Sequence, residues 1–114
     1  MSRPFAPPAP RYADTAAGRV AYRRAGAGPP LLLIHGWGGS SRYWLGAFAE
    51  LAARHDLIAI DLPGFGVSPP LAGPTTLASL AGAALALADA LGLSRLALAG
   101  HSLGAAVALL VAAS

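Results

Sequence analysis

The segment GHSLG, residues 100 to 104, places Ser102 between flanking glycines in a G-x-S-x-G arrangement. That pattern can hold a serine hydroxyl clear of its surroundings on a sharp strand-to-helix turn. The turn brings the positions two before and two after the serine against neighbouring backbone, where a Cβ would clash, so Gly100 and Gly104 have a steric reason to be glycine. A helix opening at Leu103 would direct its free N–H groups and positive dipole end toward Ser102. The chemistry this suits is acyl transfer: a hydroxyl attacks a carbonyl, and the resulting oxyanion needs at least two N–H donors. Leu103 N–H is the first. The segment HGWGGS, residues 35 to 40, offers the second at Trp37 N–H, on a glycine-rich turn containing Gly36 and Gly38. His35 is expected to fix that turn by hydrogen bonding rather than to act as a base. A third segment, DLPGFGVS (61 to 68), joins the turn signal Pro63-Gly64 to Gly66. Asp61 and Ser68 are expected to hydrogen-bond loop backbone there, and Phe65, with Trp37, to provide an apolar substrate surface.

Each of these segments follows a short apolar run. Arg11 to Arg24 reads as a β-hairpin turning at Gly18, and Gly26 to Pro30 as a loop. Leu31–Ile34, Leu57–Ile60 and Arg95–Ala99 read as strands of the kind buried on both faces of a parallel sheet. Between them, a helix is expected over about Arg42 to Arg54, capped by Ser40 or Ser41. A second is expected after a cap at Thr75 or Thr76, its stripe Leu77, Leu80, Ala84, Leu87 and Leu91 facing the sheet. Ser79, Gly82 and Asp89 would face away, and Gly92 would end it. From Leu103 onward the residues suit a third helix. Strands alternating with helices argue an α/β fold with right-handed crossovers, which collects the loops at the strands' C-terminal ends on one rim. The three distinctive segments are expected to meet there.

Composition bounds the alternatives. A chain of 114 residues with 55% hydrophobic and 11% charged residues collapses around a core, and its length fits one domain. All eight basic residues are arginines, scattered from Arg3 to Arg95, so the net charge of +3 forms no cluster that nucleic acid would need. The mean hydropathy of +0.56 raises the question of a membrane span. Asp89 interrupts the apolar stretch from Leu77 to Leu93, Ser94-Arg95 ends it, and Gly100 to Gly104 breaks the next one short of the roughly 20 residues required. Residues 1 to 10, MSRPFAPPAP, carry four prolines and no apolar signal core, which reads as a flexible leader on a cytoplasmic protein. Cysteine is absent.

Taken in order, H-G-x-G, D-x-P-G-x-G-x-S and G-x-S-x-G resemble the α/β-hydrolase superfamily, in particular its serine esterases, lipases, aminopeptidases and C–C bond hydrolases. The resemblance covers roughly residues 11 to 114. It implies Ser102 as nucleophile and the Trp37 and Leu103 N–H groups as the oxyanion hole. His35, Gly36, Gly38, Asp61, Gly64, Gly66, Ser68, Gly100, His101 and Gly104 would be motif-supporting residues. It also implies a small-molecule substrate and neither metal nor organic cofactor. Serine at the turn distinguishes it from the haloalkane dehalogenases and epoxide hydrolases of the same fold. Such enzymes carry their acid and histidine after the serine, whereas LGAAVALLVAAS, which follows Ser102, has neither. The earlier histidines do not substitute: His101 adjoins Ser102 on a turn where neighbouring side chains diverge, His55 lies at the far end of a helix, and His35 is committed to its loop. The implied chain is the N-terminal part of one such domain, with an incomplete sheet whose Arg95–Ala99 strand is an exposed edge open to self-association.

Two other functions compete. Leu31–Ile34, the GWGGSS loop, a helix and Asp61 at the end of the next strand imitate a dinucleotide-binding unit of an oxidoreductase, although Ser41 stands where the third glycine would fall. A non-catalytic hydrolase remnant accounts equally for the missing acid and base.

Overall fold

A computed structural model describes residues 5–114; of the leader expected over 1–10, residues 1–4 lie outside the described residues. Strands β1 (Arg11–Thr15) and β2 (Gly18–Ala25) form an antiparallel hairpin in which Thr15 faces Gly18. Gly18 takes a φ of +101°, and Thr15 Oγ1 accepts from Ala17 N–H while donating to the Gly18 carbonyl, which closes the turn. β2 continues antiparallel onto β4 (Asp56–Ile60), and β3 (Pro30–Ile34) lies parallel between β4 and β5 (Ala97–Gly100). The order is β1-β2-β4-β3-β5, a mixed open sheet with helices on both faces. Arg24 locks β2 to the start of β4 through two hydrogen bonds to the Asp56 carboxylate, 2.9 and 2.7 Å long; these bonds raise the arginine's pKa.

The strands divide their side chains by the two-residue period of extended chain. Leu32, Ile34, Ile58 and Ile60 enter one core with Leu80, Ala84 and Leu87 of α2 (Leu77–Ala90) and Val107 and Val111 of α3 (Leu103–Ala112). Leu33, Leu57 and Ala59 meet Phe48 of α1 (Leu45–Ala52) on the other face. Burial on both faces is why these strands read as unbroken apolar runs.

Several boundaries differ from expectation. The helix expected over 42 to 54 begins as a 3₁₀ turn, Ser41–Trp44, and becomes α-helical only for Leu45–Ala52. Ser40 Oγ accepts from Arg42 N–H and the Asp61 carboxylate accepts from Ser41 N–H, so the first donors are drawn to partners outside the helix. Leu77, expected to face the sheet, is exposed: it is the first residue after the cap, before the helix has reached its groove. Of the two threonines, Thr76 is the cap, in a reciprocal box with Ser79. Gly92, at φ +72°, terminates α2 as the left-handed residue there, with Leu93 N–H reaching back to the Ala88 carbonyl. The last strand runs two residues later than Arg95 at its start, because Arg95 is exposed and the ladder with β3 opens at Leu31 and Ala97.

Candidate active site

The C-terminal ends of β3, β4 and β5 lie side by side, and the loops that leave them are 35–40, 61–68 and 101–102. His101 N–H donates to the Ile34 carbonyl at 3.1 Å, which extends the β5–β3 ladder by one residue. The chain then turns abruptly. Ser102 has φ 56° and ψ −118°, and among the described residues it is the one non-glycine with positive φ. Such a conformation costs on the order of 1–3 kcal/mol and persists where neighbours over-determine it. Here Gly104 N–H and Ala105 N–H bind the His101 and Ser102 carbonyls at 2.9 Å and start α3 at once. Ser102 is exposed, and its hydroxyl does not cap the helix.

Packing around this corner leaves no room for side chains at two positions. A Cβ on Gly104 would run into the Ile34 and His35 carbonyl oxygens, and one on Gly100 into the Gly104 carbonyl. Gly36 approaches from the β3 side, where a Cβ would stand 3.2 Å from Ser102 Cβ and 3.1 Å from the His101 carbonyl. The loop after β3 therefore touches the serine turn. Gly36 to Gly39 is a reverse turn closed by Gly39 N–H to the Gly36 carbonyl at 3.1 Å, with Gly38 at φ +74°. Neither Trp37 N–H nor Leu103 N–H donates to an acceptor among the described residues.

The loop after β4 is tied down by buried polar groups. The Asp61 carboxylate, 2% exposed, accepts from Ser41 N–H at 2.6 Å and from Val67 N–H at 3.1 Å. Gly66 (φ +55°) passes so near that carboxylate that a Cβ would lie 2.5 Å from Asp61 Cγ. Gly64, at φ +84°, supplies the left-handed position of the turn after Pro63. Ser68 Oγ donates to the Asp61 carbonyl and accepts from Ala21 N–H, which joins the loop to β2. Asp61 is thereby enclosed, and the ribose contact that a dinucleotide-binding unit would require of it is not available.

His35 is fully buried between the first two loops. Leu62 N–H donates to its Nε2 at 3.0 Å, and its Nδ1 lies 2.8 Å from the Gly36 carbonyl. Burial lowers its pKa from the ordinary 6.5, opposed by the Gly36 hydrogen bond and by the nearby Asp61 charge. The sign of the stability effect follows from the proton count. The unfolded imidazole titrates near 6.5, while the folded one resists protonation until lower pH. This contribution is therefore complete above 6.5 and lost as pH falls toward the depressed folded value. Urea titrations at about pH 7.5 and about pH 5 should show a loss of stability on acidification, and His35→Asn should reduce its slope.

Aromatic side chains flank the corner. Trp37, 74% exposed, meets the Phe65 ring edge-on at 5.2 Å, and Phe65 meets His35 at 5.5 Å. On the other side the His101 ring stacks on Tyr43 at 4.5 Å with an 18° interplanar angle. Sequence reasoning missed Tyr43, which stands 58 positions before His101 with no local pattern linking the two. His55 lies beyond α1 with Nδ1 3.2 Å from the Leu51 carbonyl. Among the described residues no three of His, Cys, Asp and Glu gather as a metal site, and no helix is long and apolar enough to cross a membrane.

A mixed sheet with helices on both faces, a serine on a strained strand-to-helix turn and a glycine-rich loop packed against it describe a hydrolase architecture. Residues 29–114 match the family model for the alpha/beta hydrolase fold, and the chain belongs to that family. It is 40% identical to an uncharacterized protein of Mycobacterium tuberculosis (strain H37Rv) over 94% of its own length and 31% of that protein's. It is 50% identical over 50 residues to the pimeloyl-[acyl-carrier protein] methyl ester esterase of Aeromonas salmonicida, which is 44% of this chain and 20% of the esterase. Among solved structures it is similar to a bacterial membrane phospholipase A, with a TM-score of 0.87 and 36% identity over 93% of this chain and 35% of that one. The chain thus spans about a third or less of the length of the curated relatives it matches.

Proposed function

We propose that this chain carries the nucleophile and the oxyanion-binding half of a serine hydrolase acting on an ester, thioester, amide or similar acyl bond. The observation that carries the proposal is Ser102, exposed, held at φ 56°, free of capping duty and touched by the Gly36 loop. Its Oγ attacks the substrate carbonyl, the C=O π electrons move to oxygen, and that oxyanion accepts from Trp37 N–H and Leu103 N–H. Trp37 and Phe65 form an apolar wall for the acyl group. The likeness to a methyl ester esterase and to a phospholipase supports the ester among these bonds.

The Ser102 proton needs an acceptor that the described residues do not offer. His35 Nε2 is occupied by Leu62 N–H, His101 is stacked on Tyr43, and His55 lies beyond α1. The acid and the histidine base that such a serine uses are accordingly not among the described residues. Solvent hydroxide at mildly alkaline pH can stand in for that base when the chain is treated with a fluorophosphonate, as the serine oxygen bonds to phosphorus and fluoride leaves. Mass spectrometry of the peptide following Arg95 should place the adduct on Ser102; an adduct elsewhere, or none, refutes the proposal.

Among the described residues β5 has one ladder partner, β3, and α3 beside it exposes Leu109 and Leu110. Self-association through this edge is expected of the isolated chain. Sedimentation equilibrium showing a monomer at all concentrations would disprove it.

A further inference from the structure

The buried His35 has a hydrogen-bond pattern that fixes more than its own position. Leu62 N–H can donate only to a lone pair, so Nε2 is unprotonated and the ring proton resides on Nδ1. Nδ1–H then donates to the Gly36 carbonyl at 2.8 Å, which also receives Gly39 N–H at 3.1 Å. Two donors hold that oxygen on the side of the His35 ring. The Gly36 carbonyl and Trp37 N–H belong to one planar trans peptide unit, in which the two bonds point in opposite directions. Turning the oxygen toward His35 therefore turns Trp37 N–H away from it, on the loop segment that touches the Ser102 turn.

We infer that His35, as its Nδ1–H tautomer, is a positioning residue that aims the Trp37 N–H by holding the Gly36 carbonyl in the opposite direction. This deepens the serine-hydrolase proposal and rests on it for its catalytic meaning. The tautomer is chosen by Leu62, the residue following Asp61, whose carboxylate binds Ser41 N–H and Val67 N–H. The loop after β4 thus acts on the loop after β3 through the protonation pattern of one ring. Phe65 packs edge-on against that ring, which is fully buried.

Two substitutions separate the contacts. Asparagine places an amide nitrogen where Nδ1 stands and can still donate to the Gly36 carbonyl, but it cannot reach Leu62. Glutamine carries its amide oxygen to the Nε2 position and can accept from Leu62, but leaves the Gly36 carbonyl with Gly39 alone. Three quantities are measured: urea stability, the residual dipolar coupling of the Trp37 N–H, and the rate of fluorophosphonate labelling. His35→Gln should shift the coupling and slow labelling by up to about 10²-fold, the scale of losing one oxyanion donor. His35→Asn should keep coupling and rate near those of the parent chain even where it is the less stable variant. Rates that simply follow stability, or a Trp37 coupling unchanged in His35→Gln, overturn the inference. If neither variant folds, ¹⁵N spectra of the unsubstituted chain decide it: a proton on Nε2 refutes the assigned tautomer, and one on Nδ1 supports it. Should Ser102→Ala label as fast as the parent, the hydrolase proposal fails separately, while the coupling still reports the peptide's direction.

Discussion

Ser102→Ala and Ser102→Gly are both expected to lose the fluorophosphonate adduct at residue 102 entirely, because neither keeps the hydroxyl that bonds to phosphorus, yet to differ from each other in stability. Alanine keeps a Cβ at φ 56°, so the local strain stays; glycine adopts that conformation freely. Relief of about 1–3 kcal/mol of strain outweighs the roughly 0.5–1 kcal/mol by which a glycine favours the unfolded chain. Ser102→Gly should therefore have a higher urea midpoint than Ser102→Ala, both read by circular dichroism. A dead variant that gains stability by losing its side chain would show that the corner is maintained at the expense of the fold. Equal midpoints would mean that the strain at residue 102 is only about 0.5–1 kcal/mol, and a lower midpoint for Ser102→Gly would mean that it carries none.

Gly104→Ala is expected to be strongly destabilising. The added carbon meets the Ile34 and His35 carbonyl oxygens, which belong to the interior strand β3 and the loop it feeds. Backbone in that place cannot swing aside as a side-chain tip can, so the loss should reach about 3 kcal/mol, at the upper end of overpacking costs. Gly82→Ala is the matched control. Gly82 is exposed in the interior of α2 with nothing within 4 Å of a Cβ, and alanine there should add about 0.5–1 kcal/mol through helix propensity. The same substitution with opposite signs, measured by urea unfolding, would separate close packing from generic glycine effects. If Gly104→Ala unfolds at the parent's midpoint, α3 does not pack on β3 as described.

The parts of this molecule legible in its sequence are those written in local pattern. Leu31–Ile34 and Leu57–Ile60 announce strands because both of their faces are buried, and Gly18 and Gly92 mark places where φ must be positive. The three glycine-rich segments could be assigned to one rim because strand ends in parallel register share an edge. The helix after Ser40 is shorter than its sequence pattern suggests because the competing acceptor is Asp61, 20 residues away from Ser41. The bond from Ala21 N–H to Ser68, the stack of Tyr43 on His101 and the placement of β3 between β4 and β5 likewise join distant residues. None leaves a trace in composition or period. The tautomer of His35 is of this kind too, since it is decided by Leu62, 27 positions later.

The strand that leads into Ser102, β5, is also the last in the sheet among the described residues. Any polypeptide laid along its open side would hydrogen-bond the alternate residues of Ala97–Gly100 whose N–H and C=O groups face away from β3. If docking there changes the affinity of the corner for a ligand, that ligand changes the docking by an equal factor. A lateral neighbour could in this way act as an effector of the hydroxyl without ever touching it.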